Sequence, residues 1–238
     1  MLKNFSTRSK ETEIMDDLNN HPENLSEILE DIDRVNALLG GFTITLNAIK
    51  HLISNKPKPS YTVVDFGCAN GRMLRFLAAY FRERTIKINL IGVDLNEKAL
   101  EIAKNKSGDF PEIRYYKKNI LDMDFKESDC DIVISTLTLH HFEDAQIKEL
   151  IGHFFKIASI GLVINDLQRS AIAYYLFKLF SRIFIKTEVA KTDGLISIKR
   201  AFKKSELLNY ARAIPTAKHQ IKWKWAFRYV WTLEKTQH

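Results

Sequence analysis

Between residues 61 and 165, short apolar runs alternate with segments of helical period, and this alternation narrows the possible folds more than any other feature of the chain. Residues 61–66 (YTVVDF), 88–94 (INLIGVD), 113–117, 130–135 (CDIVIS) and 160–165 (IGLVIN) read as strands. Residues 71–81, 96–104 and 144–157 read as helices. Leu74, Leu77, Ala78 and Phe81 share one face of the first, and Ile147, Leu150, Ile151, Phe154 and Phe155 share one face of the last. Asn96 suits an N-cap. Strands that are apolar throughout are buried on both faces, which predicts a parallel sheet with helices on either side. Such sheets bind ligands at the carboxyl ends of their strands.

The flanks read differently. Residues 24–39 form a helix with Leu25, Ile28, Leu29, Ile32, Val35 and Leu39 at helical spacing, stopped by Gly40 and Gly41. A second helix covers 43–53, and Asn55 to Ser60, with Pro57 and Pro59, is a loop. Residues 167–185 read as an apolar helix and 203–213 as another. Residues 217–225 and 226–233 read as two strands with no helix between them, closing the sheet with an antiparallel edge. The expected fold is α/β: a doubly wound, Rossmann-like sheet of seven mostly parallel strands with an antiparallel last strand.

Composition sets the class. The chain has 238 residues, 45% hydrophobic and 27% charged, enough for one domain with a sizeable core. The net charge of +7 is not gathered into one basic run, so nucleic acid is not an expected partner. The stretch 171–185 contains Lys178, Ser181 and Arg182 and is too short to span a bilayer. Residues 1–10 lack the apolar core of a signal peptide. Cys68 and Cys130 make neither a disulfide framework nor a Cys-x-x-Cys metal motif. Reduced thiols, a cytoplasmic location and no metal are the expectation.

Residues 63–71, VVDFGCANG, run from strand through glycine turn to helix start. Glycine lets the backbone approach a ligand closely, and the helix start offers free N–H groups. The spacing is G-x-x-x-G, not the dinucleotide G-x-G-x-x-G. Asp65, two positions before Gly67, would repel a phosphate and accept an ammonium group. Asp94 ends the second strand, where a carboxylate accepts ribose hydroxyls. Asn119 suits an adenine edge, with Ile120 on its face and Asp122 close by. Singly, each feature has a plain alternative: a tight strand–helix connection for the glycines, a helix cap for Asp94.

Together these segments resemble the class I S-adenosylmethionine (SAM)-dependent methyltransferases. VVDFGCANG looks like their motif I, GVDLN motif II, KKNILDMDF motif III and CDIVISTLTLHHF motif IV, over about 110 residues. The resemblance implies SAM as cofactor, held by Asp65, Gly67, Cys68, Ala69, Gly71, Asp94, Leu95, Asn119, Ile120 and Ser135. Ala69 stands where the family's turn has its middle glycine. Residues 13–17 (EIMDD), 34–41, 165–170 (NDLQRS) and 192–202 resemble small-molecule methyltransferases of bacterial natural-product pathways, with Ile14 where leucine is usual. On this reading the whole chain, 1–238, is one methyltransferase domain. Residues 1–55 form a helical cap, 61–166 the SAM-binding core, 167–200 a cap insertion and 201–238 the completion of the core.

Methyl transfer to a hydroxyl requires loss of a proton, and histidine titrates in the useful range. His140 and His141 follow the fourth strand. His140 is the favoured base and His141 the structural partner. Asp166 orients a histidine, acts as base, or caps the helix after it. Arg169 is a surface charge or an anchor for an acidic acceptor. The aromatic stripe of 171–185 (Tyr174, Tyr175, Phe177, Phe180 and Phe184) packs helices, contacts a second copy in a homodimer, or lines a pocket for an apolar acceptor. The implied activity is O-methylation of a small aromatic or apolar molecule in secondary metabolism. The alternatives are methylation of carbon or nitrogen, and a non-catalytic partner subunit of the same fold. Motif IV reads Ser135-Thr136-Leu137-Thr138 rather than the Asn/Asp-Pro-Pro-Tyr of nucleic-acid amino methyltransferases, which argues against a DNA or RNA base.

Overall fold

The computed structural model describes residues 4–17, 22–54, 56–122, 126 and 129–236. Asn55 of the expected loop and Met123, Asp124 and Phe125 of the third motif lie outside the described residues. Two helices come first, α1 (Leu25–Leu38) and α2 (Gly41–Ser54). Then follow β1 (Ser60–Phe66), α3 (Arg72–Arg82), β2 (Lys87–Asp94), α4 (Glu97–Lys106), β3 (Ile113–Lys117), β4 (Cys130–Thr136), α5 (Asp144–Ile157) and β5 (Ala158–Leu167). Helices α6 (Ala171–Phe184), α7 (Glu188–Arg200) and α8 (Lys204–Ala211) precede β6 (Ala217–Lys224) and β7 (Arg228–Lys235).

The strands form one sheet in the order β3-β2-β1-β4-β5-β7-β6. The first five are parallel, and β7 is antiparallel to both β5 and β6. The winding direction changes between β1 and β4, which opens a crevice at their carboxyl ends. On one face Leu46, Ile49 and Leu52 of α2 and Leu74, Leu77 and Phe81 of α3 pack on Val63, Leu90 and Ile132. On the other, Ile147, Leu150, Ile151 and Phe154 of α5 and Leu207 and Tyr210 of α8 pack on Val64, Val133, Leu162 and Trp231. Burial on both faces is the reason the strands read as unbroken apolar runs.

Three details differ from the sequence reading. Gly40 ends α1 in the left-handed region (φ +72°), but Gly41 is the first residue of α2 rather than a stop. Strand β5 runs on through Leu167, so Asp166 lies inside it. The helix after it is capped by Ser170, whose Oγ accepts the Ala173 N–H (3.4 Å), and the capping role considered for Asp166 is thereby removed. Helix α7 was not anticipated. The last two strands close the sheet with an antiparallel edge as expected; β7 lies inside and β6 outermost, because Tyr229, Val230, Trp231 and Leu233 are buried while β6 exposes its lysines.

Helices α1, α6 and α7 stand over the carboxyl ends. Asp31 of α1 accepts the N–H groups of Lys186 (2.9 Å) and Thr187 (2.8 Å), tying α1 to the start of α7. In α6 the aromatic stripe divides: Tyr174 is buried, while Tyr175 and Phe184 face outward with Ile172, Leu179 and Ile183. Among the described residues no helix is long and apolar enough to cross a membrane.

Candidate active site

The turn after β1 needs its glycines. Gly67 and Gly71 have φ of +80° and +72°. A Cβ on Gly67 would stand 2.3 Å from Thr138 Oγ1, and one on Gly71 2.0 Å from Tyr115 Oη. Ala69, at φ +45°, accepts the same left-handed region with a Cβ in place, a strain of about 1–2 kcal/mol. Its N–H donates to Asp94 Oδ2 (2.8 Å), and the Asn96 N–H donates to Asp94 Oδ1 (2.9 Å). The ends of β1 and β2 are thus joined through one carboxylate, which burial pushes above the usual carboxylate range. Asn96 caps α4 as expected, accepting from the Ala99 N–H (3.0 Å).

Asp65 is buried and its Oδ1 has no hydrogen-bond partner. Burial, with the charge of Asp94 added, pushes its carboxyl up to about 8. A lone carboxylate in such a place is suited to a cationic N–H group. Beside it, burial pushes the Cys68 thiol well up, so it stays neutral.

A second cluster forms where β4 ends. His140 and His141 sit in a short 3-10 turn, Leu139–His141, with their ring centres 4.3 Å apart. His140 Nδ1 lies 2.7 Å from Asp166 Oδ1, and its Nε2 lies 3.5 Å from Glu13 Oε1. His141 Nδ1 lies 2.8 Å from Asp16 Oδ1, an ion-pair contact without hydrogen-bond alignment. Arginines hold the turn from outside. Arg8 donates to the carbonyls of His140 (2.9 Å) and Phe142 (2.8 Å), and Arg200 donates to that of His140 (3.1 Å). Burial alone would strip the proton from His140, but Asp166 and Glu13 outweigh it and raise the imidazole to about 10. Burial would likewise raise Glu13 and Asp166, and His140 holds both below the usual carboxylate range. His140 is therefore an imidazolium at neutral pH. Among the described residues, Glu13, His140 and His141 are the group whose donor atoms, all within 4.8 Å of one another, could hold a metal ion.

Both clusters line one cavity of about 650 Å³. Asp65, Gly67, Cys68, Ala69, Asp94, Leu95 and Ile120 border it, as do Glu13, Asp16, His140 and His141. Phe42, Leu176, Phe177 and Phe180 supply apolar wall. Gly71, Asn119, Ser135 and Asp166 are not among the lining residues. Gly71 precedes α3, Ser135 is buried within β4, and Asp166 stands behind His140. Asn119 turns inward on its own loop: its Oδ1 accepts the Leu121 N–H (3.1 Å) and its Nδ2 donates to Asp122 Oδ2 (2.8 Å). Arg169 is neither exposed nor in the cavity; it is buried against Glu206. Sequence reasoning missed Glu13 and Asp16 as site residues, and missed Asn36 and Arg228, which also line the cavity. For Glu13 and Asp16 the only signal was the EIMDD segment, which has no local pattern of its own.

This sheet order, with an acid and glycine turn at the end of β1 and a second acid at the end of β2, defines the class I methyltransferase fold. Residues 63–161 match the family model described as a methyltransferase domain, and the whole sheet has the class I methyltransferase order. Curated relatives include the carboxy-S-adenosyl-L-methionine synthase of Helicobacter pylori (strain P12), 32% identical over 90 residues, 38% of this chain and 35% of that protein. The chain thus spans about a third of the length of the curated relatives it matches. Among solved structures, the plantazolicin methyltransferase BpumL, in complex with a monoazolic desmethylPZN analog and SAH, has a TM-score of 0.67 at 15% identity, covering 88% of this chain and 90% of that one. The magnesium protoporphyrin IX methyltransferase ChlM from Synechocystis PCC 6803, with bound SAH, has a TM-score of 0.57 at 15% identity, covering 83% and 84%. These similarities establish the fold.

Proposed function

We propose that this protein transfers a methyl group from SAM to an oxygen of a small molecule with an apolar body. The observation that carries the reading is the unpartnered Asp65 carboxylate beside the glycine turn, in the same cavity as a histidine–carboxylate cluster. Asp65 would take the ammonium group of SAM, Asp94 its ribose hydroxyls and Ile120 a face of its adenine. SAM supplies an electrophilic methyl on a sulfonium, and the protein supplies orientation and a dry cavity.

Proton removal falls to the chain's own residues. His140 is already protonated between Asp166 and Glu13, so it serves as a fixed positive charge. His141 is half-buried, borders the cavity and has Asp16 beside its Nδ1, which makes it the better proton acceptor. The base role expected for His140 thus passes to its neighbour. A proton acceptor suits a hydroxyl, which must give up its proton as the oxygen takes the methyl. The apolar wall from α6 favours an aromatic or aliphatic acceptor. The plantazolicin methyltransferases among the neighbours support a place in natural-product biosynthesis, and the free, buried Cys68 and Cys130 suit a reducing cytoplasm.

The test is calorimetric titration with SAM and S-adenosylhomocysteine (SAH), followed by methyl-transfer assays on hydroxylated, amine and carbon acceptors. Binding of both cofactor forms with turnover on hydroxyls supports the proposal. Failure to bind either removes it, and binding without turnover on any acceptor would favour a non-catalytic partner subunit.

A further inference from the structure

Arg228, the first residue of β7, is a buried charge short of partners. Its side chain is 2% exposed, and neither Nε nor Nη1 has a hydrogen-bond partner. It lines the same cavity as the two clusters. Among the described residues the charge of Asp166 supports it, against a burial effect that pulls the guanidinium down to about 10. Asp166 itself is committed elsewhere: its Oδ1 meets His140 Nδ1 (2.7 Å) and the Leu167 N–H (2.7 Å), and its Oδ2 meets the His140 N–H (3.3 Å). The guanidinium lies at the α1–α2 junction, where a Cβ on Gly41 would meet Arg228 Cζ at 3.1 Å. Asn36 is beside it, and its buried Oδ1 is also without a partner.

A buried guanidinium without hydrogen bonds is costly, and such groups are kept where a partner completes them. Its planar fork matches a carboxylate bidentately, and a low-dielectric wall strengthens that pairing. The surroundings are otherwise apolar: Val35, Leu39 and Phe42 border the cavity here. A ligand that fits both would carry one anionic group on an apolar frame.

We propose that Arg228 anchors a carboxylate of the methyl acceptor, so that the substrate is an apolar hydroxy-acid rather than a neutral phenol or alcohol. This rests on the methyltransferase reading of the same cavity. Asn36 completes the subsite, its amide able to turn an N–H toward the second carboxylate oxygen. Strand register places the anchor beside the proton relay, because Leu167 pairs with Arg228 and Asp166 with Tyr229. An acceptor held at Arg228 by its acid is thereby oriented before methyl transfer begins.

The experiment compares benzoate with benzamide, its neutral isostere, by calorimetry, with SAH present and absent. The wild-type protein should prefer benzoate by about tenfold or more, the scale of a charge-assisted fork. Arg228→Met should erase that preference and leave SAH affinity unchanged. Arg228→Gln serves as the second variant should the methionine change prevent folding, with thermal melting as the check on both. Equal affinity of the wild-type protein for benzoate and benzamide would overturn the proposal. So would loss of SAH affinity in the variants, which would give Arg228 to the cofactor's own carboxylate. If SAH fails to bind the wild-type protein, the cofactor reading falls, and the comparison without SAH still decides the anion subsite.

Discussion

Asp193 Oδ1 accepts the backbone N–H of Ile14 across 2.8 Å. Its other oxygen takes the N–H of Met15 at 3.1 Å, so one side chain of α7 sets the short turn that carries Glu13 and Asp16. Ser197, one turn further along α7, has its Oγ 2.9 Å from Glu13 Oε1. The carboxylates that face the two histidines are therefore positioned from α7, far away in sequence, and the histidine turn from Arg8 and Arg200. The site is closed by the segments that flank the sheet.

Asp65→Asn separates cofactor binding from stability. Burial raises the Asp65 carboxyl from its ordinary value to about 8, so in that window the folded state holds a proton that the unfolded chain has released. The stability this proton confers is complete below the unfolded value near 4 and is lost as pH rises through about 8. The cofactor-free wild-type protein should thus lose thermal stability from pH 5 to 8, and Asp65→Asn should flatten that slope. At pH 8 the variant should melt higher by several degrees, while its SAH affinity falls at least about tenfold, as expected for a lost charge-assisted contact. Parallel pH slopes for the two proteins would show that Asp65 does not titrate in this window.

The histidines should divide their roles. His141→Gln should lower turnover by about 100-fold or more, the scale of a lost general base, with little change in SAH affinity. Its residual rate should recover at high pH, where the acceptor ionises unaided. His140→Gln should lower turnover at every pH without that recovery, since it removes a fixed charge and leaves Glu13 and Asp166 unpaired. Steady-state kinetics from pH 6 to 10 distinguishes the two. High-pH recovery in the His140 variant alone would return the base role to His140.

Ala69 is a residue that can be improved. Its left-handed φ costs about 1–2 kcal/mol, and glycine there would recover that less about 0.5–1 kcal/mol of added chain entropy. Ala69→Gly should raise the melting temperature by about 1–4 °C with SAH affinity kept. Ala69→Val should lower it. A destabilised glycine variant would mean that the Ala69 methyl packs well enough to offset its strain.

Removal of metal is informative because the donor atoms of Glu13, His140 and His141 lie within reach of a common ion. If His140 holds its proton between Asp166 and Glu13, dialysis against EDTA should leave turnover within about twofold of the untreated enzyme, well short of the effect of losing a general base. Loss of activity restored by zinc or manganese would instead assign the cluster to a metal.

The sheet and the cofactor turn were legible because both are written in local pattern. Burial on both faces leaves strands of unbroken apolar residues, and the glycines of 67–71 answer a steric demand measurable at Thr138 and Tyr115. Asn96 followed from capping chemistry alone. The proton relay was half legible: His140 and His141 stood out after β4, but their assignment depends on Glu13 and Asp16, which arrive from the N-terminal segment through α7. No local pattern marks such partners. Arg228 was invisible for a similar reason. It reads as one cation among many in a lysine-rich tail, and only the placement of β7 inside the sheet buries it.

That placement also bears on how the chain acquires its shape. Strand β6 is made before β7 but has no seat of its own, since among the described residues it pairs with β7 alone. It can join the sheet only with β7 or after it, and until β7 docks the flank of β5 lies open as an unpaired edge. Such edges invite pairing with other chains. Mutations that weaken the β6–β7 hairpin would accordingly surface first as poor yield and inclusion bodies, before any loss in the melting temperature of the protein that does fold.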